Sequence, residues 1–541
     1  MKVWRRLAII VIGLALVAGG IVHVLANSSS TTTSKTTPSG AVFPGSFYAR
    51  FSNGIPSSPS FFPIAVFLQN PAGGDVTRCR TGASYWYNTQ ACRFAYMGIN
   101  TYIGLNSSGT DWPGTYGTDI ANGQFGELAA ACAEGQYVIA GGDPRSDSSA
   151  FSVASIQSLL SSMPSCAKHF VGYLWTDEPP CGSSLYDAGD IPTEVASVEA
   201  EDPTREVYGG NFGAWEPWYL KYRETSGCDS LEVAAEQATE IGSNDEYALT
   251  DPWHQSDCLA GEDVKTGTYP TSANDCLWVY GLQAQTGTAM EAARSGGPAP
   301  YWEFVETGTD DLGLDLQGGA TCDYTTNVCT SGNEATATLV QVNSAAWDAI
   351  INGANGIVWF CDASNLSSTG TTPSGNTAYD GCAGGGGGGN PTNGGEEFLP
   401  TNLKYVDSNI TTFAPELNSP ITGICSMEND TTLGITTSCS NGVLSVSTSN
   451  TSEPIVARTT TYGGHIYLFV ESDRANDETT GTYTITGASG KTASLVYDSA
   501  TQYDPTHSKQ GDTFSVNGSG VFSDTLGTAA NPYQVKIYSI S

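Results

Sequence analysis

Four carboxylates stand where apolar segments end. The stretch FVGYLWTDEPP, residues 170–180, runs through apolar and aromatic residues into Asp177, Glu178 and two prolines. The stretch APYWEFVETG, residues 299–308, holds Glu303 and closes on Glu306 before Thr307 and Gly308. Two carboxyl groups on either side of a reacting bond supply an acid for the leaving oxygen and an ionised partner for the electron-poor carbon. Different surroundings keep one protonated and the other charged. For an acetal carbon between two sugars, a gap of about 5–5.5 Å gives a covalent intermediate and retention, and about 6.5–9.5 Å admits a water and gives inversion.

Other chemistries lack their residues. The histidines beyond the leader are His169, His254, His465 and His507, and none has the His-Glu-x-x-His spacing of a zinc hydrolase, so no metal is expected. No Gly-x-Ser-x-Gly elbow marks a nucleophilic serine. The glycine run Gly384–Gly389 is not followed by Gly-Lys-Ser/Thr and reads as a loop, not a phosphate cradle. The segment ESDRANDETTG, residues 471–481, is acidic but lacks the EF-hand spacing and reads as a solvated hairpin loop. No cofactor is expected.

The chain has 541 residues, with 55 Asp and Glu against 21 Lys and Arg, a net charge of −34. That balance argues against nucleic acid, whose phosphates need Lys and Arg, and against a polybasic membrane surface. Neutral glycans, cell-wall material and an acidic medium remain compatible. Lys2, Arg5 and Arg6 precede an apolar run over residues 7–26 that ends in Val24-Leu25-Ala26. This reads as a cleaved signal peptide or, at nearly 20 residues, as a membrane anchor. Both place the remainder outside the cytoplasm, secreted or at the cell surface. The 14 cysteines agree, since an exported chain with scattered cysteines favours disulfides. Cys79/Cys92, Cys322/Cys329 and Cys425/Cys439 are close enough in sequence to bridge.

What must position the carboxylates is an alternation of apolar strand and amphipathic helix. Residues 27–44 form a Ser/Thr-rich linker. Strands are then expected at 61–71, 100–106, 136–144, 170–180, 205–212, 246–253, 299–308 and 356–361. Helices are expected near 89–99, 117–134, 150–162, 192–202, 276–294, 335–353 and 398–414. Continuous apolar strands suit a parallel sheet covered by helices, and eight such units predict a (β/α)8 barrel over residues 45–415. An open doubly wound sheet competes, but no Gly-x-Gly-x-x-Gly turn follows the first strand. Past residue 415 the helical periodicity ends. Segments such as GVLSVSTS, HIYLFVES, GTYTITG, ASLVYDS and YQVKIYSI predict an antiparallel β-sandwich over 416–541.

In such a barrel, polar residues at the C-terminal strand ends build the site. Besides Glu178 and Glu306, these are Asp177, Asn211, Asp251 and Glu303, with Trp359 as a sugar-stacking platform and Trp253 as a further aromatic contact. Strand alternation puts Glu303 and Glu306 on opposite faces, and Glu306, nearer the strand end, is favoured for the mouth.

A fourth strand ending in Glu178-Pro179 and a seventh ending in Glu306-Thr307-Gly308 resemble the clan A glycoside hydrolases. The segments FFPIAVFLQNP, FVETG and NGANGIVWF are similar to uncharacterised secreted bacterial barrel proteins of this type. The resemblance implies Glu178 as acid/base, Glu306 as nucleophile, a retaining mechanism and an accessory β-sandwich. The clan has Asn before its acid/base, whereas this chain has Asp177, which accepts from a sugar hydroxyl but cannot donate when ionised. The expected protein is a secreted or surface-anchored retaining glycoside hydrolase acting on a poly- or oligosaccharide, with no obligate protein partner. The alternative is a non-catalytic carbohydrate-binding or cell-surface protein on the same barrel.

Overall fold

The computed structural model describes residues 44–68, 90–105, 127–141, 153–174, 190–209, 238–244, 277–292, 294, 297–307, 322–323, 328–329, 339–360, 398–430, 434–440, 442–449, 455–472, 478–528 and 531–541. Eight parallel strands form one sheet: β1 (Ile64–Leu68), β2 (Thr101–Leu105), β3 (Tyr137–Gly141), β4 (Phe170–Leu174), β5 (Glu206–Tyr208), β6 (Gly242–Asn244), β7 (Tyr301–Glu306) and β8 (Gly356–Phe360). Their order is β5-β4-β3-β2-β1-β8-β7-β6, and a parallel bridge from Tyr208 to Ile241 joins the two edges. The sheet is therefore a closed barrel. Its strands are short apolar runs such as IAVFL, YVIAG and GIVWF, buried on both faces as parallel strands under helices must be.

The helices α1 (Pro44–Tyr48), α2 (Gln90–Met97), α3 (Glu127–Glu134), α4 (Val153–Ser162), α5 (Asp190–Glu201), α6 (Trp278–Ala292), α7 (Leu339–Asn352), α8 (Phe398–Thr412) and α9 (Ala414–Leu417) accompany these strands. Gly98, at φ +102°, ends α2 in the left-handed region, where a side chain would also fall 2.9 Å from the Asp407 Cβ. Among the described residues no helix is long and apolar enough to cross a membrane, and residues 7–26 lie outside them.

The sixth strand was expected at 246–253, which lies outside the described residues, and β6 is Gly242–Asn244. It is three small or polar residues long and holds its place by pairing with Tyr301, Trp302 and Glu303 of β7, so it carries no apolar run to read.

Strand alternation sorts the barrel side chains into two cores. Ala65, Phe67, Ile103, Ile139, Tyr208, Trp302, Phe304, Val358 and Phe360 fill the lumen. A register shift opposite Val138 and Ile139 lets Val171 and Leu174 of β4 join them. Tyr102, Val138, Tyr301, Val305, Ile357 and Trp359 face the helices.

The segment from α1 to Ile55 closes the N-terminal end of the lumen. Phe47, Tyr48 and Ile55 belong to the lumen core, and the Trp302 indole donates to the Tyr48 hydroxyl at 2.9 Å. The Ile55 amide donates to both Glu206 carboxylate oxygens at 3.1 Å. Gly54 is required there, because a Cβ would lie 2.2 Å from Glu206 Oε2.

After α9 the chain becomes all-β. The strands are β9 (Ile421–Asp430), β10 (Gly434–Ser440), β11 (Leu444–Thr448), β12 (Ile455–Tyr462), β13 (His465–Ser472), β14 (Thr479–Ile485), β15 (Thr492–Asp498), β16 (Thr513–Ser515), β17 (Val521–Leu526) and β18 (Val535–Ile540). They form antiparallel sheets ordered β10-β9-β12-β13-β18-β15-β16 and β11-β14-β17. Leu468, Val470, Tyr483, Leu495, Phe522 and Tyr538 fill the space between them. The outer face of the larger sheet lies on the barrel's helices: Val456, Phe469, Tyr497 and Ile537 share one core with Trp347 of α7.

Disulfides join Cys425 to Cys439, register partners on β9 and β10, and Cys132 to Cys166. Cys322 and Cys329 are register partners in a two-residue ladder, and Cys79 lies outside the described residues.

Candidate active site

The C-terminal rim of the barrel carries Glu306, the last residue of β7, paired in register with Phe360 of β8. Glu306 is in phase with Trp302 and Phe304, which occupy the lumen core, so it takes the lumen side of its strand. Beneath it lies an aromatic layer. Phe67 meets Phe304 at 5.4 Å between ring centroids and stacks on Phe360 at 6.3 Å. The carboxylate thus stands on an apolar floor and is itself only 2% exposed.

Side-chain hydrogen bonds hold this strand end. The Tyr280 hydroxyl donates to Glu306 Oε1. Tyr280 lies in the first turn of α6, whose N-terminus is at the same end of the barrel as the C-terminus of β7. The Thr307 hydroxyl donates to the Phe360 carbonyl at 2.7 Å, tying the ends of β7 and β8 together. A carboxylate fixed by a phenol over an apolar floor can serve as a nucleophile or as an electrostatic partner for developing positive charge.

Glu303 takes the opposite phase. It shares its face with Tyr301 and Val305 in the helix-side core and is fully buried. The expected substrate contact from Glu303 is thereby replaced by a place between strand and helix.

Trp359 is corrected as well. It alternates with Val358 and Phe360 of the lumen, lies in the helix-side core with no exposure, and donates from Nε1 to Asp407 Oδ1 of α8 at 3.0 Å. A ring so enclosed offers no face to a sugar. The period of two along β8 decides this, and nearness to the strand end does not. Asp177, Glu178, Asn211, Asp251 and Trp253 lie outside the described residues.

Tyr280 was not among the sequence candidates. The available signal was positional: in a βα-barrel the first turn of each helix abuts the rim, so a polar-tipped aromatic there reaches the strand ends. The expectation had weighed strand ends alone.

A second group of carboxyls lies away from the rim. Glu206, at the start of β5, is pushed well above the usual carboxylate range, chiefly by burial. Glu240 accepts the Val207 amide at 2.7 Å and is pushed up to about 7, again chiefly by burial. Arg50 Nη2 approaches it at 4.0 Å. These groups tie the N-terminal segment to the barrel floor and face away from the mouth.

The fold and this site define a (β/α)8-barrel protein with a C-terminal β-sandwich and a buried carboxylate on the rim of the seventh strand. No family model matches the chain. No curated protein matches it. Solved structures of similar trace include Eubacterium rectale Amy13B, at 9% identity and a TM-score of 0.45, covering 91% of this chain and 98% of that one. An Anoxybacillus alpha-amylase is similar at 9% identity and a TM-score of 0.42, covering 90% and 98%. A glycoside hydrolase family 5 protein from Bacteroides vulgatus is similar at 12% identity and a TM-score of 0.38, covering 88% and 89%. At these values none bears on what this chain binds or cleaves.

Proposed function

We propose that this protein is a retaining glycoside hydrolase that acts outside the cytoplasm on a poly- or oligosaccharide. The observation that carries the reading is Glu306, on the lumen side of the C-terminal end of β7 and held by Tyr280. A barrel places its chemistry at that end. Glu178 is the proposed partner. It stands four residues beyond Leu174, the last residue of β4, whose side chain belongs to the lumen core. Glu178 itself lies outside the described residues.

In the first step the Glu306 carboxylate attacks the anomeric carbon while the Glu178 carboxyl gives its proton to the leaving oxygen. In the second, Glu178 takes a proton from water, the water oxygen attacks the same carbon, and Glu306 is released. Asp177, Asn211, Asp251 and Trp253 are proposed substrate contacts. Export is supported by the apolar run at 7–26 and by the two disulfides among the described residues.

The test is hydrolysis of a polysaccharide panel by the wild type, Glu178→Ala and Glu306→Ala. Both variants are expected to lose nearly all turnover. External azide is expected to restore a glycosyl azide of opposite configuration in Glu306→Ala and of the same configuration as substrate in Glu178→Ala. Equal turnover in all three proteins would remove the proposed mechanism. Tight glycan binding without turnover in the wild type would instead establish the non-catalytic reading.

A further inference from the structure

Among the described residues, Asn409, Asn429 and Asn517 begin Asn-x-Ser/Thr triplets, the acceptor pattern for oligosaccharide transfer to a side-chain amide nitrogen. The other triplets of this kind lie outside the described residues. The fold separates these three. Asn409-Ile410-Thr411 lies within α8, where Asn409 Nδ2 donates to the Tyr405 carbonyl at 2.7 Å and Ile410 is fully buried. Asn429 is a ladder residue of β9, paired with Ile435 of β10. Asn517-Gly518-Ser519 alone of the three lies in a turn, the connection from β16 to β17, and all three of its residues are exposed.

The turn is held from one side of the Asn517 amide. Its Oδ1 accepts the N–H of Ser519 at 2.8 Å and of Val521 at 3.0 Å. The Asn517 N–H donates to the Val521 carbonyl at 3.0 Å. Gly520, at φ +78°, lets the chain double back, and a Cβ there would fall 2.5 Å from the Ile485 carbonyl oxygen. These bonds engage the side-chain oxygen and leave the nitrogen: Asn517 Nδ2 has no hydrogen-bond partner among the described residues. A Cβ built on Gly518 would meet no atom within 4 Å, so the space beside the triplet is open. The atom that a sugar would occupy is unengaged, and its surroundings leave room for a bulky group.

We propose that Asn517 is a site of N-linked glycosylation, and that the glycan shields the two edge strands which this turn joins. The donor is an oligosaccharide carried on a lipid pyrophosphate. Nδ2 forms a bond to the anomeric carbon, the bond from that carbon to the pyrophosphate oxygen breaks, and the lipid pyrophosphate leaves. One Nδ2 proton passes to a base of the transferase. Among the described residues β16 is an edge of the larger sheet and β17 an edge of the smaller one. Open edges invite pairing with another chain, and a bulky hydrated group rooted between them opposes it. The proposal rests on the export part of the proposed function and not on its catalytic part.

The experiment is glycopeptide mapping by mass spectrometry, on full-length chain recovered from its native cells and medium, with fragmentation that leaves the sugar on its residue. A glycan is expected on Asn517 in most molecules and none on Asn409. Ser519→Ala keeps Asn517 and the backbone amides that its Oδ1 holds, and removes only the hydroxyl of the triplet. It is expected to abolish the modification, and Ser519→Thr is expected to preserve it. The bare Ser519→Ala protein should self-associate more than the Ser519→Thr protein in light scattering, and equal self-association would remove the shielding role. A bare Asn517 in wild-type chain recovered from outside the cytoplasm would overturn the proposal and leave export standing. A chain confined to the cytoplasm would remove the export reading, and this site with it.

Discussion

The phenol of Tyr280 and the carboxylate of Glu306 meet across two elements, the first turn of α6 and the last residue of β7. The contact sets the direction of the one rim carboxylate that the described residues place on the lumen side. Tyr280→Phe keeps the ring and its packing and removes only the donor. A hydrogen bond to a charged group is worth about 1.5–3 kcal/mol, which corresponds to a loss of about 10- to 100-fold in kcat/KM. The melting temperature should move little, and steady-state kinetics beside a thermal scan separate the two effects. A kcat/KM equal to the wild type's would show that the phenol does not serve the carboxylate.

Glu240 gives the barrel floor a defined pH response. Its pKa is about 7 in the folded protein against about 4.5 in the unfolded chain, chiefly through burial. The folded state therefore binds the extra proton between these values. The stability it contributes is fully present below about 4.5 and is lost as pH rises through about 7. The slope is at most about 1.4 kcal/mol per pH unit. Glu206 is raised for the same reason and acts in the same direction. Glu240→Gln keeps an acceptor for the Val207 amide and should flatten the stability curve between pH 5 and 7, measured by urea unfolding. An unchanged slope would assign the pH response elsewhere.

The barrel was legible because its strands are apolar on both faces. IAVFL, YVIAG, FVGYL and GIVWF can only be central parallel strands, and β1, β3, β4 and β8 fall within the segments expected. Gly242-Ser243-Asn244 has no such signal, since it is held by its pairing with β7 and not by its own side chains. Side-chain direction was legible only where the period was counted. Counting by two separates Glu306 from Glu303, and the same count would have turned Trp359 toward the helices. Cys425 and Cys439 were readable as neighbours in a hairpin, whereas Cys132 and Cys166 are 34 residues apart and meet only because α3 returns beside the start of β4. Tyr280 could not be found from strand ends, because it reaches the rim from a helix.

Asp407 and Trp359 make a second buried pair with a testable sign. Asp407 accepts the indole N–H at Oδ1, its buried Oδ2 has no hydrogen-bond partner among the described residues, and burial raises its pKa well above the usual range. The folded protein therefore prefers the neutral acid, and stability is lost as pH rises above the ordinary carboxylate value. Asp407→Asn retains an acceptor and cannot ionise. It should be more stable than the wild type at pH 7 and no more stable at pH 4. Asp407→Leu orphans the indole and should cost about 1–3 kcal/mol at acidic pH. Chemical denaturation of the three proteins at both pH values checks the pattern. A wild type more stable than the Asn variant at pH 7 would mean that the acid is ionised and served by a donor.

Trp347 decides whether barrel and sandwich unfold together. It is fully buried on α7, stacked on Phe469 at 6.5 Å and tilted against Tyr497 at 5.7 Å. Across the same junction, Ser344 of α7 donates to Glu471 of β13, and Tyr503 donates to Asn402 of α8 at 2.5 Å. A junction that shares one apolar core couples its halves more tightly than a polar interdomain contact does. Calorimetry of the wild type should show one transition. Trp347→Ala removes the central ring and should cost about 3–5 kcal/mol. Because that loss falls on the core that the barrel helices share with the sandwich, it should destabilise the barrel and loosen the coupling, splitting the transition in two with the sandwich melting near the wild-type temperature. Two transitions in the wild type, or a single undivided one in the variant at unchanged temperature, would show that the shared core does not couple them.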